Sequence, residues 1–274
     1  MAKVVFSKKA CTVNPLKMSQ PLGAALAFLG IADAMPLFHG SQGCTSFGLV
    51  LLVRHFREAI PLQTTAMNEV ATVLGGFENL ERALVNLQQR AKPSLIGICS
   101  TGVTEIKGDD VEGFLKLIVE RHPELAETQI VYVSTPDFKG AFQDGWGKAV
   151  CRLVTQLAEP GERRSDQVNL LPGCHLTPGD VEELRETIEA FGLKAIVVPD
   201  LSGSLDGHVP EMEEFKPTTL GGAAVAEICA LGRSALTFAV GEQMRPAAEA
   251  LKAKAGVPYV LLDRLTGLIP NDEF

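Results

Sequence analysis

Six short apolar runs that alternate with amphipathic stretches constrain the fold of this chain more than any other feature. From about residue 94 onward each run is continuous and rich in β-branched residues, as strands covered on both faces are. The runs are Ser94–Cys99, Gln129–Ser134, Gln167–Leu171, Lys194–Pro199, Ala235–Val240 and Tyr259–Leu262. Strands that alternate with helices are typical of βα units, so the sequence predicts an α/β fold with parallel sheets covered by helices.

Helical periodicity marks the stretches between these runs. Apolar residues recur at helical spacing in 111–119 and in 142–157, so each stretch presents one apolar face. The next helix has residues typical of a helix end on both sides. Thr177 is the predicted N-cap, Pro178 follows it, and Gly192 lies just past the end of the helix.

Two earlier apolar stretches, Pro21–Phe38 and Phe47–Val53, invite a membrane interpretation. A membrane span needs about 20 clean apolar residues. The first stretch is broken by glycines, an aspartate and a proline, and the second ends at Arg54. We therefore predict buried helices here. The first ten residues contain lysines but no apolar signal-peptide core, so we expect a cytoplasmic protein.

The length of the chain predicts its domain organisation, and its charge limits the partners that it can bind. Its 274 residues exceed the usual size of one core, which predicts two domains. The segment Glu159–Asp166 lacks periodicity and breaks at Pro160, so we predict Rossmann-like domains over residues 1–163 and 164–274. The formal net charge is −8 and no run of Lys or Arg exceeds two residues, so a nucleic-acid partner is not expected.

One of the six cysteines stands apart from the others. No C-x-x-C pair is present, so we predict no self-contained zinc site, and each cysteine can be read as a small buried hydrophobe. Cys44 differs because it follows a glycine in the run His39–Cys44 and is flanked by small residues, which lets backbone N–H groups approach its sulfur. Two roles stay open: a ligand of an iron–sulfur cluster, or a thiol nucleophile assisted by His39.

Other polar segments are weaker candidates. No dinucleotide or phosphate-loop motif is present, and the pairs Gly75-Gly76 and Gly221-Gly222 favour close packing over phosphate binding. The loop Asp200–His208 follows a predicted strand and could form a catalytic site or an ordinary turn. The carboxylates of Gly108-Asp109-Asp110 are predicted to cap a helix, and His55 could face a partner or solvent.

Eight ordered segments spread along the chain match one known family. They are Thr12–Lys17, Gln20–Ala24, Pro36–Cys44, Arg54–Arg57, Pro61–Met67, Thr135–Phe138, Leu176–Asp180 and Pro199–His208. By these segments the whole chain resembles the nitrogenase MoFe-protein family, and within it the scaffold subunits that mature the iron–molybdenum cofactor. The match through residues 177–180 and 200–208 favours a scaffold over a nitrogenase-like reductase subunit.

The resemblance also implies a metal centre and partners. Cys44 would join three cysteines of a NifE-like partner subunit around one [4Fe–4S] cluster at the subunit interface, since such a cluster usually takes four thiolates. In the family the iron–molybdenum cofactor precursor is held mainly by the partner, the nitrogenase reductase (iron protein) docks over the interface, and full-length subunits form heterotetramers. The catalytic β subunit has cysteines where this chain has Ser19 and Gly102. A hydroxyl and a glycine do not replace soft thiolates, so no eight-iron P-cluster is expected.

The resemblance further implies a third α/β domain, whereas this chain stops at Leu265–Phe274, about where that domain would begin. The sequence leaves open whether the chain is a fragment or a short paralogue. We expect a cofactor-assembly scaffold without independent activity. The alternatives are a nitrogenase-like reductase subunit, a nitrogenase β-type chain, or a stand-alone enzyme that uses Cys44 with His39 or the Asp200–His208 loop.

Overall fold

The fold is described from a computed structural model, which covers residues 18–208 and 216–274. Cys11, the N-terminal lysines and the segment Thr12–Lys17 lie outside the described residues. The strands are β1 Ala34–His39, β2 Gln63–Thr64, β3 Leu95–Ser100, β4 Gln129–Val133, β5 Arg164–Leu171, β6 Lys194–Val197, β7 Ser234–Val240 and β8 Tyr259–Leu262. The α-helices are α1 Gln20–Leu29, α2 Gln42–His55, α3 Glu69–Leu74, α4 Phe77–Arg90, α5 Gly102–Lys107, α6 Val111–Arg121, α7 Phe142–Leu157, α8 Pro178–Ala190, α9 Val225–Ala230, α10 Arg245–Ala255 and α11 Leu268–Glu273.

The strands form two four-stranded parallel sheets, with the orders β2-β1-β3-β4 and β6-β5-β7-β8. Helices cover both sheets, so the predicted α/β fold is confirmed. The six predicted strands are β3 to β8, each with bounds within a few residues of the prediction. The helix α8 begins after Thr177, whose Oγ1 accepts a hydrogen bond from the N–H of Asp180 at 3.2 Å, and Gly192 beyond its end has φ +75°.

The prediction of one buried helix over Pro21–Phe38 is wrong in its second half. Helix α1 ends at Leu29 with Gly30 as its C-cap, and β1 begins at Ala34. Asp33 lies between them with φ 52°, in the left-handed region, so the chain turns instead of continuing the helix. The apolar run therefore contains a buried helix followed by a buried central strand.

The prediction for Phe47–Val53 is correct for the helix and wrong for its burial. The segment lies within α2, which buries only Thr45, Gly48 and Leu52 against the rest of the chain. Phe47, Val50 and Val53 are 69%, 46% and 51% exposed. Helix α2 therefore presents an apolar face to the outside of this chain. Among the residues that the structure describes, no helix has the length and apolar composition needed to cross a membrane.

One hydrophobic core connects the two sheets. Helix α1 packs against α7, and α7 also packs against α10 beside the second sheet. The largest buried cluster contains Phe28 and Leu95 from the first part of the chain together with Leu171 and Leu251 from the second. The indole N–H of Trp146, on α7, donates to the carbonyl of Pro172 at 3.0 Å. The division into domains at residues 163 and 164 stays a prediction, because the sheets share this core.

Candidate functional site

A cavity of ≈ 340 Å³ lies at the carboxyl ends of three neighbouring strands of the first sheet. This is where open parallel sheets usually bind ligands. Phe38 lies near the end of β1, Thr101 follows β3, and Asp137 comes after β4. The start of α1 and one side of α2 complete the wall. The lining residues are Met18, Ser19, Pro21, Leu22, Phe38, Cys44, Phe47, Gly48, Leu51, Thr101 and Asp137.

Cys44 reaches this cavity from the first turn of α2. The turn after β1 brings Ser41 into an extended conformation as the N-cap, so the helix begins at Gln42 and Cys44 is its third residue. Its thiol is half-buried, and Sγ lies 3.7 Å from the hydroxyl of Ser41. The cysteine that the sequence singled out is thus accessible from a cavity and is not sealed inside its own core.

The other described cysteines have different surroundings. Cys99 is fully buried in β3, and burial raises the pKa of its thiol well above the ordinary value. Burial raises the pKa of Cys174 to about 11, and it also raises the pKa values of Cys151 and Cys229. A raised pKa disfavours the thiolate, which is the form that binds metal. These four cysteines fit the interpretation as small hydrophobic residues.

Of the two positions where the resemblance implies cysteines in the catalytic β subunit, Ser19 lines this cavity, and Gly102 lies next to it, between Thr101 and the side chain of Asp137. Ser19 is the N-cap of α1 and lines the wall, and Gly102 is the first residue of α5. The N–H of Gly102 donates to Oδ2 of Asp137 at 3.2 Å. A Cβ atom on Gly102 would lie only 2.4 Å from Oδ1 of Asp137, so this carboxylate occupies the space of a side chain at position 102.

Sequence reasoning missed Asp137 as a site residue. In the sequence, the segment Thr135–Phe138 is linked to the site only through the family resemblance. The position of its carboxylate depends on β4 lying beside β3, which brings Asp137 against Gly102, 35 residues earlier in the chain. A local pattern does not reveal such a contact. The available signal was an acidic residue shortly after a predicted strand.

His39 does not form a pair with Cys44. Its ring is fully buried, and Nδ1 lies 3.1 Å from the hydroxyl of Thr65. Burial lowers the pKa of His39 to about 4, and the nearby charge of Asp109 opposes this shift only in part. The Cys44 thiol lies instead within hydrogen-bond distance of the hydroxyl of Ser41. A thiol nucleophile assisted by His39 is therefore not supported by the geometry.

The Asp200–His208 loop is built as a turn around one carboxylate. Asp200 is nearly buried and forms an ion pair with Arg185. Its other oxygen, Oδ1, accepts from the hydroxyl of Ser202 at 2.6 Å and from the N–H of Gly203 at 3.2 Å. Both oxygens are thus engaged, Oδ2 by Arg185 of α8 and Oδ1 within the loop, and this favours a structural role over catalysis.

The contacts of the pairs Gly75-Gly76 and Gly221-Gly222 agree with the predicted role in close packing. A Cβ on Gly221 would lie 1.7 Å from the carbonyl oxygen of Gly203, so the two loops touch through their backbones. The N–H of Gly76 donates to Oδ2 of Asp109 at 3.1 Å, which leaves that N–H paired within the chain. No described contact of these glycines indicates a bound phosphate.

Only one of the two carboxylates before α6 caps this helix. Asp110 accepts from the N–H of Gly113 at 3.0 Å, as predicted. The prediction is wrong for Asp109, which lies 3.1 Å from Nζ of Lys107 and also accepts from Gly76, because its side chain turns toward the end of α3. His55, the last residue of α2, is exposed and packs edge-to-face against Phe56 with ring centroids 4.7 Å apart.

The donor set at the cavity suits one corner of a metal cluster. Cys44 supplies a soft sulfur, the walls are mostly apolar, and Phe47 of the exposed face of α2 is part of the wall. An adjoining cavity of ≈ 510 Å³ shares Met18, Leu22 and Leu51 with it. Within residues 18–208 and 216–274, no group of three or more His, Cys, Asp and Glu side chains is arranged to hold a metal ion. A thiolate-bound cluster at this cavity would need further ligands from another chain.

Comparison with known proteins identifies relatives of the same architecture. Residues 19–274 match the family described as nitrogenase component 1 type oxidoreductase. The chain is 62% identical over 278 residues to the nitrogenase iron-molybdenum cofactor biosynthesis protein NifN of Bradyrhizobium diazoefficiens, with 100% of this chain and 59% of that protein covered. It is 53% identical over 274 residues to the protein of the same name from Nostoc sp., with 100% of this chain and 61% of that protein covered.

A solved structure described as nitrogenase Cp1 at pH 6.5 superposes with a TM-score of 0.89 and 32% identity, covering 99% of this chain and 59% of that one. This chain spans about three fifths of the length of the curated relatives that it matches. The family match extends over nearly the whole chain and agrees with the two parallel sheets described above. The chain belongs to the nitrogenase component 1 type oxidoreductase family.

Proposed function

We propose that this chain is a scaffold subunit in the maturation of the nitrogenase iron–molybdenum cofactor, and that Cys44 donates one thiolate to a [4Fe–4S] cluster shared with a NifE-like partner. The relatives named NifN support the scaffold role, since their names assign them to the biosynthesis of this cofactor. The observation that carries the proposal for the site is the Cys44 thiol, half-buried at an open cavity.

The number of available cysteine ligands supports a cluster shared between two subunits. Four thiolates are the usual complement of a [4Fe–4S] cluster. Among the described residues that line the cavity, Cys44 is the sole cysteine, so three ligands would come from the partner. Ser19 and Gly102 provide no thiolate, which argues against a P-cluster and hence against a nitrogenase β-type chain.

The exposed apolar face of α2 supports a partner at this place. Phe47, Val50 and Val53 point away from the chain's own core, and Phe47 also lines the cavity that Cys44 faces. A partner that covers this face would exclude water from the cluster, and solvent exposure is one of the factors that set cluster potentials. In this proposal the cofactor precursor is held mainly by the partner, and the nitrogenase iron protein docks over the interface to deliver electrons.

The test is iron analysis and EPR spectroscopy on the chain co-expressed with a NifE-like partner. The wild-type pair is expected to be brown and to contain about four iron atoms per interface, as one [4Fe–4S] cluster requires. Cys44→Ala is expected to lose the cluster signal or change it strongly. The matched control is Cys151→Ala, which removes a half-buried thiol that lines a different cavity. Equal iron content and identical spectra for wild type and Cys44→Ala would remove Cys44 from the ligand set.

A further inference from the structure

Asp137 introduces a charge into an otherwise uncharged cavity. Among the described residues that line this cavity, all the others are apolar, hydroxyl-bearing, glycine or cysteine. Asp137 is exposed in this chain, and its Oδ2 accepts a 3.2 Å hydrogen bond from the N–H of Gly102. Within the described part of the chain it forms no ion pair, and Lys139, two residues further on, does not neutralise it by direct contact.

The absence of a side chain at Gly102 leaves room for the carboxylate of Asp137. A Cβ at that position would lie 2.4 Å from Oδ1 and 2.8 Å from Oδ2 of Asp137, so the two positions are complementary in shape. In the catalytic β subunit, the resemblance implies a thiolate at position 102. Here the same corner of the cavity contains a carboxylate, which is a much poorer ligand for iron in a thiolate cluster.

We propose that Asp137 sets the reduction potential of the cluster bound at Cys44, and holds it low through its negative charge. The inference rests on the proposed function. Reduction adds one electron, and so one negative charge, to the cluster. A nearby carboxylate opposes that charge, most strongly when a partner closes the cavity and removes the screening water. The cluster accepts electrons from the docking reductase. Asp137 determines how strongly the reduced cluster donates those electrons onward.

The test is an EPR-monitored redox titration of the co-expressed pair with Asp137→Asn. Asparagine has nearly the same shape and keeps an oxygen to accept from the N–H of Gly102, so only the charge is lost. The midpoint potential is expected to shift to a more positive value while iron content stays equal to wild type. The matched control is Glu186→Gln, which removes an exposed carboxylate on α8, outside the residues that line the cavity. Its midpoint is expected to equal that of wild type.

Two results would overturn the proposal for Asp137. One is an unchanged midpoint in Asp137→Asn with iron retained, and the other is loss of iron in that variant, which would make the carboxylate a requirement for holding the cluster. Asp137→Ser provides a second uncharged variant and is expected to shift the midpoint in the same direction. These outcomes differ from failure of the proposed function, which would appear as a wild-type pair without a cluster or as an unaffected Cys44→Ala.

Discussion

The crossing of α1 and α7 positions the wall of the Cys44 cavity, and it depends on two glycines. A Cβ on Gly145 of α7 would lie 1.9 Å from the carbonyl oxygen of Gln20, and a Cβ on Gly23 of α1 would lie 1.9 Å from the carbonyl oxygen of Phe142. Ordinary contacts of this kind begin at 3.4 Å. Because both obstacles are backbone atoms, they cannot rotate away, and the helices would have to separate by about 1.5 Å.

We expect Gly145→Ala to destabilise the chain. Alanine gains about 1 kcal/mol over glycine in a helix interior, whereas overpacking a core costs about 1–3 kcal/mol. The separation also disturbs the α1–α7 contact along its length, so we take the upper end of that range and expect a net loss of about 2 kcal/mol. At about 2 °C per kcal/mol for a chain of this size, the thermal unfolding midpoint should fall by about 4 °C.

The matched control is Gly179→Ala in the first turn of α8. There the nearest atom to an added Cβ is Oγ1 of Thr177 at 3.9 Å, an ordinary contact, so the helix gains propensity without a clash. Circular dichroism at a helical wavelength should show Gly179→Ala at or slightly above the wild-type midpoint. The reasoning about close backbone contact would be refuted if Gly145→Ala were as stable as Gly179→Ala.

Two further predictions concern the buried His39 at the end of β1 and the exposed face of α2. Burial lowers the pKa of His39 from 6.5 to about 4, so between these values the unfolded chain binds a proton that the folded chain does not, and the free energy of unfolding should fall as pH falls through this window. His39→Gln should flatten that part of the pH profile in urea titrations, and an unchanged slope would contradict the assignment. Phe47→Ala should weaken the association with the partner by about tenfold, as expected for an interface aromatic, without lowering the unfolding midpoint of the chain alone. Phe191 at the end of α8, which is 80% exposed against 69% for Phe47, serves as the control in the same binding titration. Equal losses from both alanine variants would argue against an interface at α2.

The parts of the fold that the sequence predicted are those with local signals. Strands β3 to β8 are continuous apolar runs, and α8 has its N-cap at Thr177 and a glycine after its end. Strand β1 was missed because its apolar residues continue those of α1, and the turn at Asp33 leaves little trace in composition. Strand β2 has only two residues and no periodicity to detect.

The candidate site also contains one residue that has a local sequence signal and others that have none. The glycine before Cys44 and the small residues around it are local signals and make it a candidate, whereas its assignment as a cluster ligand comes from the family resemblance and stays a prediction. The contact of Asp137 with Gly102 depends on the order of strands in the sheet, and no pattern of neighbouring residues encodes it. The exposure of Phe47 was also missed, since helical periodicity identifies an apolar face without indicating whether that face packs on the chain's own core.

The most direct test of the central claim is X-ray diffraction from crystals of the co-expressed pair, with anomalous data collected at the iron absorption edge. The proposal predicts a compact group of iron peaks at the subunit interface, with one iron within bonding distance of Sγ of Cys44 and the others bonded to partner cysteines. Iron peaks bonded entirely to the partner, with the thiol of Cys44 free and hydrogen-bonded to Ser41, would contradict it.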